Sequence, residues 1–133
     1  MKPGTATLQF RRAAVQGASP AELVVLLYDT YVGDLERAIE AMRKGEIEAL
    51  AGELKHALRV VDQLAAFLDT TNGGEAAKSL SLFYEMARGK IIEAQVTSNP
   101  DILEEQIRLF QDVRQAWRNV RSAASGAPLS ARV

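Results

Sequence analysis

Four times along this chain, apolar residues return at steps of three and four, and each run ends at a helix breaker. Val24, Leu27, Tyr28, Tyr31, Leu35, Ala38 and Met42 make the first run. Ile47, Leu50, Leu54, Ala57, Val61, Leu64 and Leu68 make the second, and Ala76, Leu80, Phe83, Ala87, Ile91 and Ala94 the third. Leu103, Ile107, Phe110, Val113, Trp117 and Val120 make the fourth. That spacing gathers each set on one face of an α-helix, and no run shows the alternation of a half-buried strand. The expected class is therefore all-α.

The punctuation between the runs sets the topology. Ser19, Pro20 and Glu22 form a capping-box start with proline at the first helical position. Lys44-Gly45 is a basic last turn followed by a residue suited to a left-handed C-cap. "TNGG" (71–74) reads as a turn, and "SNP" (98–100) repeats the cap-then-proline start, with Asp101, Glu104 and Glu105 favourably placed for the helix dipole. Each helix is about 35 Å long at 1.5 Å per residue. Short connections between helices of equal length force antiparallel neighbours, so the spacing predicts an up-down-up-down four-helix bundle over residues 19–121. Residues 1–18 are expected to be a partly ordered segment packing on the bundle. Residues 122–133, small, polar and broken by Gly and Pro, are expected to be a frayed tail.

Composition removes several function classes. A chain of 133 residues suits one domain with its own core. Sixteen basic against seventeen acidic side chains give a formal charge of −1, so no charge excess points to nucleic acid or an anionic membrane. The absence of cysteine excludes disulfides, thiolate metal sites and cysteine nucleophiles. No stretch approaches the roughly 18 uninterrupted apolar residues of a membrane span, and "MKPGTATLQFRR" lacks the apolar block of a secretory signal. The expected location is the cytoplasm.

Candidate chemistry is sparse. Glu53 and the only histidine, His56, have the Glu-x-x-His spacing of di-iron bundles, but that site needs a second histidine, so no metal and no cofactor are expected. His56 permits another reading, since histidine phosphotransfer domains are also four-helix bundles and "HALR" loosely resembles their His-x-Leu-Lys stretch. They usually follow it with glycine, and here bulky Val60 stands at that position. An ordinary solvent-facing histidine is the simpler expectation. Arg114, Arg118 and Arg121 share a helix face without aromatic interleaving, which complements the helix dipole and needs no RNA. Nucleophile, base and oxyanion donors cannot be assembled, so no enzyme is expected.

What remains is apolar surface in excess of the core stripes. Leu23 lies at the margin of the first stripe and Leu26 points well away from it. Val60 and Phe67 flank the second stripe, and Leu82 and Met86 form a ridge opposite Leu80 and Ile91. These residues are scattered surface positions, or are covered by the N-terminal segment with Leu8 and Phe10, or line a groove for a partner's amphipathic helix.

Three blocks narrow the choice: "ASPAELVVLLYD" (Ala18–Asp29), "FLDTTNGGEAAKSLSLFYEMA" (Phe67–Ala87) and "QDVRQAWRNV" (Gln111–Val120). In this order they resemble the flagellar secretion chaperone FliS family, over about residues 8 to 121. Phe10 stands where the family often carries tyrosine, keeping the ring and losing the hydroxyl. The resemblance implies a cytoplasmic helical bundle that binds the disordered C-terminal segment of flagellin one-to-one. Binding would prevent premature polymerisation and keep flagellin competent for type III export, with the export gate as a further partner. It also implies that Leu8 and Phe10 cover part of the groove until flagellin displaces them. The contact residues expected for flagellin are Leu23, Leu26, Val60, Phe67, Leu82 and Met86.

Overall fold

The computed structural model describes residues 19–69 and 71–122, apart from the side chains of 120–122. The expected cover residues Leu8 and Phe10, and the tail beyond 122, lie outside the described residues. Among the described residues four α-helices follow one another: α1 Pro20–Lys44, α2 Ile47–Ala66, α3 Gly74–Thr97 and α4 Pro100–Ser122.

Each boundary has a local cause. The Ser19 hydroxyl accepts from the Glu22 amide at 3.2 Å, and the Glu22 carboxylate accepts from the Ser19 amide at 2.9 Å, closing the capping box. Gly45 ends α1 in the left-handed region at φ 71°, with its amide returned to Ala41 and Met42. Before α3 the Asp69 side chain accepts from the amides of Thr71 and Asn72, and its carbonyl accepts from Gly73 at 2.7 Å. A Cβ on Gly73 would sit 2.4 Å from that carbonyl, so this turn requires glycine. Ser98 closes α3 in the left-handed region at φ 51°, and Asn99 caps α4 through the Asp101 amide at 3.0 Å.

α1 packs beside α2 and α4, and α3 packs beside the same two helices. α1 and α3 therefore face each other across the bundle's diagonal, as up-down-up-down connection requires. Val24, Leu27, Tyr28, Tyr31, Leu35 and Ala38 of α1 are buried, as are Leu50, Leu54, Ala57, Val61 and Leu64 of α2. Leu103, Phe110 and Trp117 of α4 join them.

Three departures have physical reasons. Ile47 is 77% exposed because it opens α2 at the bundle's end, beyond the neighbouring helices. On α3 the buried positions are Ala77, Tyr84, Ala87, Ile91 and Ala94, so the stripe is rotated slightly from one through Ala76 and Phe83. Tyr84, large and aromatic, claims the centre and leaves Phe83 half-buried beside it. Gln106 is buried in α4 because its side-chain oxygen accepts from the Tyr31 hydroxyl at 3.3 Å.

Candidate partner-binding surface

α3 is apolar on two sides. Its inner side carries Tyr84, Ala87, Ile91 and Ala94 into the core. Its outer side carries Leu82 and Met86, each 62% exposed, with Ile92 at 52% and Val96 at 79%. At 100° per residue these four fall on one face, nearly opposite Tyr84 and Ile91. Lys78, Glu85 and Glu93 lie among them, also exposed. A helix with apolar residues on both sides is normally covered on both. Leu82 and Met86 were legible as a ridge from their spacing. Ile92 and Val96 repeat that four-residue spacing ten residues on, but the neighbouring core positions Ile91 and Ala94 masked the signal.

The other expected contacts sit elsewhere. Val60 is only 2% exposed and Leu23 only 9%, so neither offers a surface, and Val60 in particular is a core residue. The reason is the tight α1–α2 packing. The flank of α2 that carries Val60 also carries His56 one turn earlier, and that flank faces α1. Leu26 and Phe67 are half-buried, and Phe67 packs against the core. The six residues therefore do not converge on one groove. Leu82 and Met86 look outward from α3, across the bundle from the α1 edge.

His56 is not solvent-facing. It is 6% exposed, and its Nδ1 lies 2.5 Å from the carboxylate of Asp34, which is wholly buried. Arg37 donates to the other oxygen of Asp34 at 2.7 Å and to Glu53 at 3.2 Å, so four side chains tie α1 to α2. Burial raises the Asp34 carboxyl above its ordinary range, while the His56 hydrogen bond and the charges of His56 and Arg37 pull it back. The i, i+3 and i, i+4 pattern could not reveal this cluster, because its members flank the apolar stripes. An imidazole so placed is not presented to a phosphodonor. Among the described residues no group of three or more His, Asp or Glu side chains is placed to hold a metal ion.

Arg114 is also committed, its guanidinium forming a two-point contact with Asp29 of α1. Beside that pair, Val32, Gly33, Glu36 and Gln111 help line a cleft of about 370 Å³ between α1 and α4. The pairing removes Arg114 from any cationic strip with Arg118.

The sequence comparisons bear on the whole bundle. Residues 4–124 match the family model described as "Flagellar protein FliS". The chain belongs to the FliS family. It is 31% identical over 114 residues to the flagellar secretion chaperone FliS of Salmonella typhimurium, covering 85% of this chain and 84% of that protein. The FliS of Campylobacter jejuni is 30% identical over 78% of this chain and 81% of its own length. That of Vibrio cholerae is 28% identical over 80% and 78%. Among the described residues no helix is long and apolar enough to cross a membrane.

Proposed function

We propose that this FliS-family chain is a cytoplasmic export chaperone that binds the disordered C-terminal segment of flagellin one-to-one. It thereby holds flagellin unpolymerised and ready for flagellar type III secretion, where the export gate is the further partner. The observation that carries this reading is the second apolar face of α3, on a chain whose relatives are flagellar secretion chaperones. A disordered segment that folds on binding gives up conformational entropy, so a long apolar strip suits it better than a compact pocket. Leu82, Met86, Ile92 and Val96 span about 21 Å of helix at 1.5 Å per residue. Half-buried Leu26 and Phe67 would be reached by a segment long enough to wrap from α3 to the α1–α2 edge. Methionine at the strip suits a surface that repacks around its ligand.

Pull-down of flagellin by the wild type and by Leu82→Glu/Met86→Glu tests the reading. Capture lost in the variant, with its helicity and melting unchanged, is the expected result. Undiminished capture would place the flagellin contacts elsewhere.

A further inference from the structure

The seam between α1 and α4 is pinned at two points and open between them. Asp29 meets the Arg114 guanidinium with both carboxylate oxygens, and Arg43 donates to Glu104 at 3.2 Å. The two pins stand about 21 Å apart along α1, at 1.5 Å per residue. Between them lies the cleft of about 370 Å³, with Val32 and Gly33 at its base, Glu36 on its α1 wall, and Gln111 and Gln115 on its α4 wall. A side chain is missing where the seam opens. The three atoms nearest a Cβ on Gly33 would all belong to Arg37 of the same helix, the closest at 3.3 Å, so α4 does not close over this position.

The walls specify a ligand by what they leave unpaired. Asp29 and Arg114 neutralise each other, whereas exposed Glu36 has no ion-pair or hydrogen-bond partner among the described residues. The cleft therefore carries one uncompensated negative charge. Gln115 donates a side-chain N–H to Asn119 at 3.1 Å, which leaves its oxygen as an acceptor. Exposed Gln111, one turn earlier on the same face, adds a second amide oxygen. A carboxylate facing amide oxygens suits a group that only donates. A guanidinium is such a group, with five N–H donors in a planar fork that reaches several acceptors at once. The volume lies at the lower end of the ~300–1,000 Å³ of small-ligand pockets, room for one long side chain and not for a helix.

We infer that the α1–α4 cleft is a docking site for an arginine side chain carried on an extended segment of a partner protein. The guanidinium pairs with the Glu36 carboxylate and donates to the Gln111 and Gln115 amides, while its aliphatic stem lies over Val32 and the bare Gly33 backbone. Asp29, Glu36, Gln111 and Gln115 are all exposed, so the cleft opens along the surface and a chain can lie in it lengthwise. Leu82 and Met86 project from α3, the helix diagonal to α1, and neither lines this cleft. A segment held here and a client held on α3 can therefore be bound together. That consequence alone rests on the proposed flagellin reading.

The probe is the blocked tripeptide acetyl-Gly-Arg-Gly-amide, titrated into the full isotope-labelled chain at about 0.15 M salt and followed by NMR. Saturable shifts centred on the Gly33 amide and on the Gln111 and Gln115 side-chain amides are expected, with a dissociation constant on the order of millimolar for one charge-assisted contact. The same peptide with citrulline, close in shape and without the charge, should bind roughly tenfold more weakly or worse, and so should the arginine peptide to Glu36→Gln. Gln111→Lys, which sets a cation opposite Glu36, should abolish binding. Both positions are exposed, so melting of these variants should be unchanged. Shifts spread over other surface carboxylates, binding indifferent to Glu36→Gln, or no response at the highest soluble peptide concentration would each overturn the proposal. Free argininamide binding as tightly as the tripeptide would mean that the cleft takes a lone cation, which contradicts recognition of a segment. Adding flagellin's C-terminal segment tests joint occupancy. Retention of the tripeptide supports it, whereas displacement contradicts it and leaves the arginine site to stand on the Glu36→Gln and citrulline results.

Discussion

The hydroxyl of Tyr28 on α1 lies 2.7 Å from that of Tyr84 on α3, across the diagonal of the bundle. Both rings are buried and meet edge-on, with centroids 6.4 Å apart. Phe110 of α4 lies 5.1 Å from Tyr28, and Tyr31 stacks on Phe110 at 4.0 Å. Aromatic side chains from α1, α3 and α4 thus fill the centre, and the two hydroxyls satisfy each other where water does not reach.

Tyr84→Phe should therefore cost more than the loss of one oxygen suggests. It deprives the buried Tyr28 hydroxyl of this partner, at about 1–3 kcal/mol. Urea unfolding checks it. The Tyr28→Phe/Tyr84→Phe double variant should lose less than the sum of the singles, and simple additivity would contradict the coupling.

The same burial predicts alkaline sensitivity. Burial pushes Tyr28 up to about 12, against the pull of its Tyr84 and Trp117 hydrogen bonds, and raises Tyr31 and Tyr84 as well. Unfolded phenols ionise near pH 10, so between pH 10 and 12 the unfolded state binds fewer protons than the folded one, and stability falls as pH rises. At pH 11 the loss is roughly 1 kcal/mol for each such phenol. Melting followed from pH 9 to 11.5 should show it, with a smaller decline in Tyr28→Phe.

The Asp34–His56 contact gives an ordered pair of outcomes. Asp34→Leu leaves the inward-facing imidazole and the Arg37 guanidinium without their shared carboxylate and should cost about 3 kcal/mol or more. His56→Leu should cost less, because Arg37 still holds Asp34 at 2.7 Å. Chemical denaturation of both variants decides it, and the reverse order would mean that Arg37 does not compensate.

Much of the bundle was legible because helix ends and stripes are local. Ser19, Glu22 and Gly45 announce α1 within a few residues, and the Leu50–Leu64 stripe needs only its own spacing. Positions on the flanks were not legible, because their burial depends on which neighbour sits there. Val60 and His56 lie off the α2 stripe, yet both are buried because that flank meets α1. Conversely, Leu82 and Met86 were readable as exposed because they oppose the stripe, where neither neighbouring helix reaches.

Surface and core variants should separate cleanly. Met86→Glu is expected to weaken flagellin binding at least tenfold, on the scale of one lost apolar contact, with melting nearly unchanged. Val60→Ala should instead destabilise the fold by about 2 kcal/mol and leave affinity intact. Deleting residues 2–15, with Leu8 and Phe10, should tighten or speed association if that segment covers the groove. Slower, weaker binding would make it part of the site.

The most direct measurement is calorimetric titration with full-length flagellin and with flagellin lacking its C-terminal segment. One-to-one binding that requires the segment and carries a large negative heat-capacity change is expected, because a disordered tail folds onto apolar surface. Equal binding of both flagellins, or none of either, would contradict the claim that this bundle holds flagellin by its C-terminal segment.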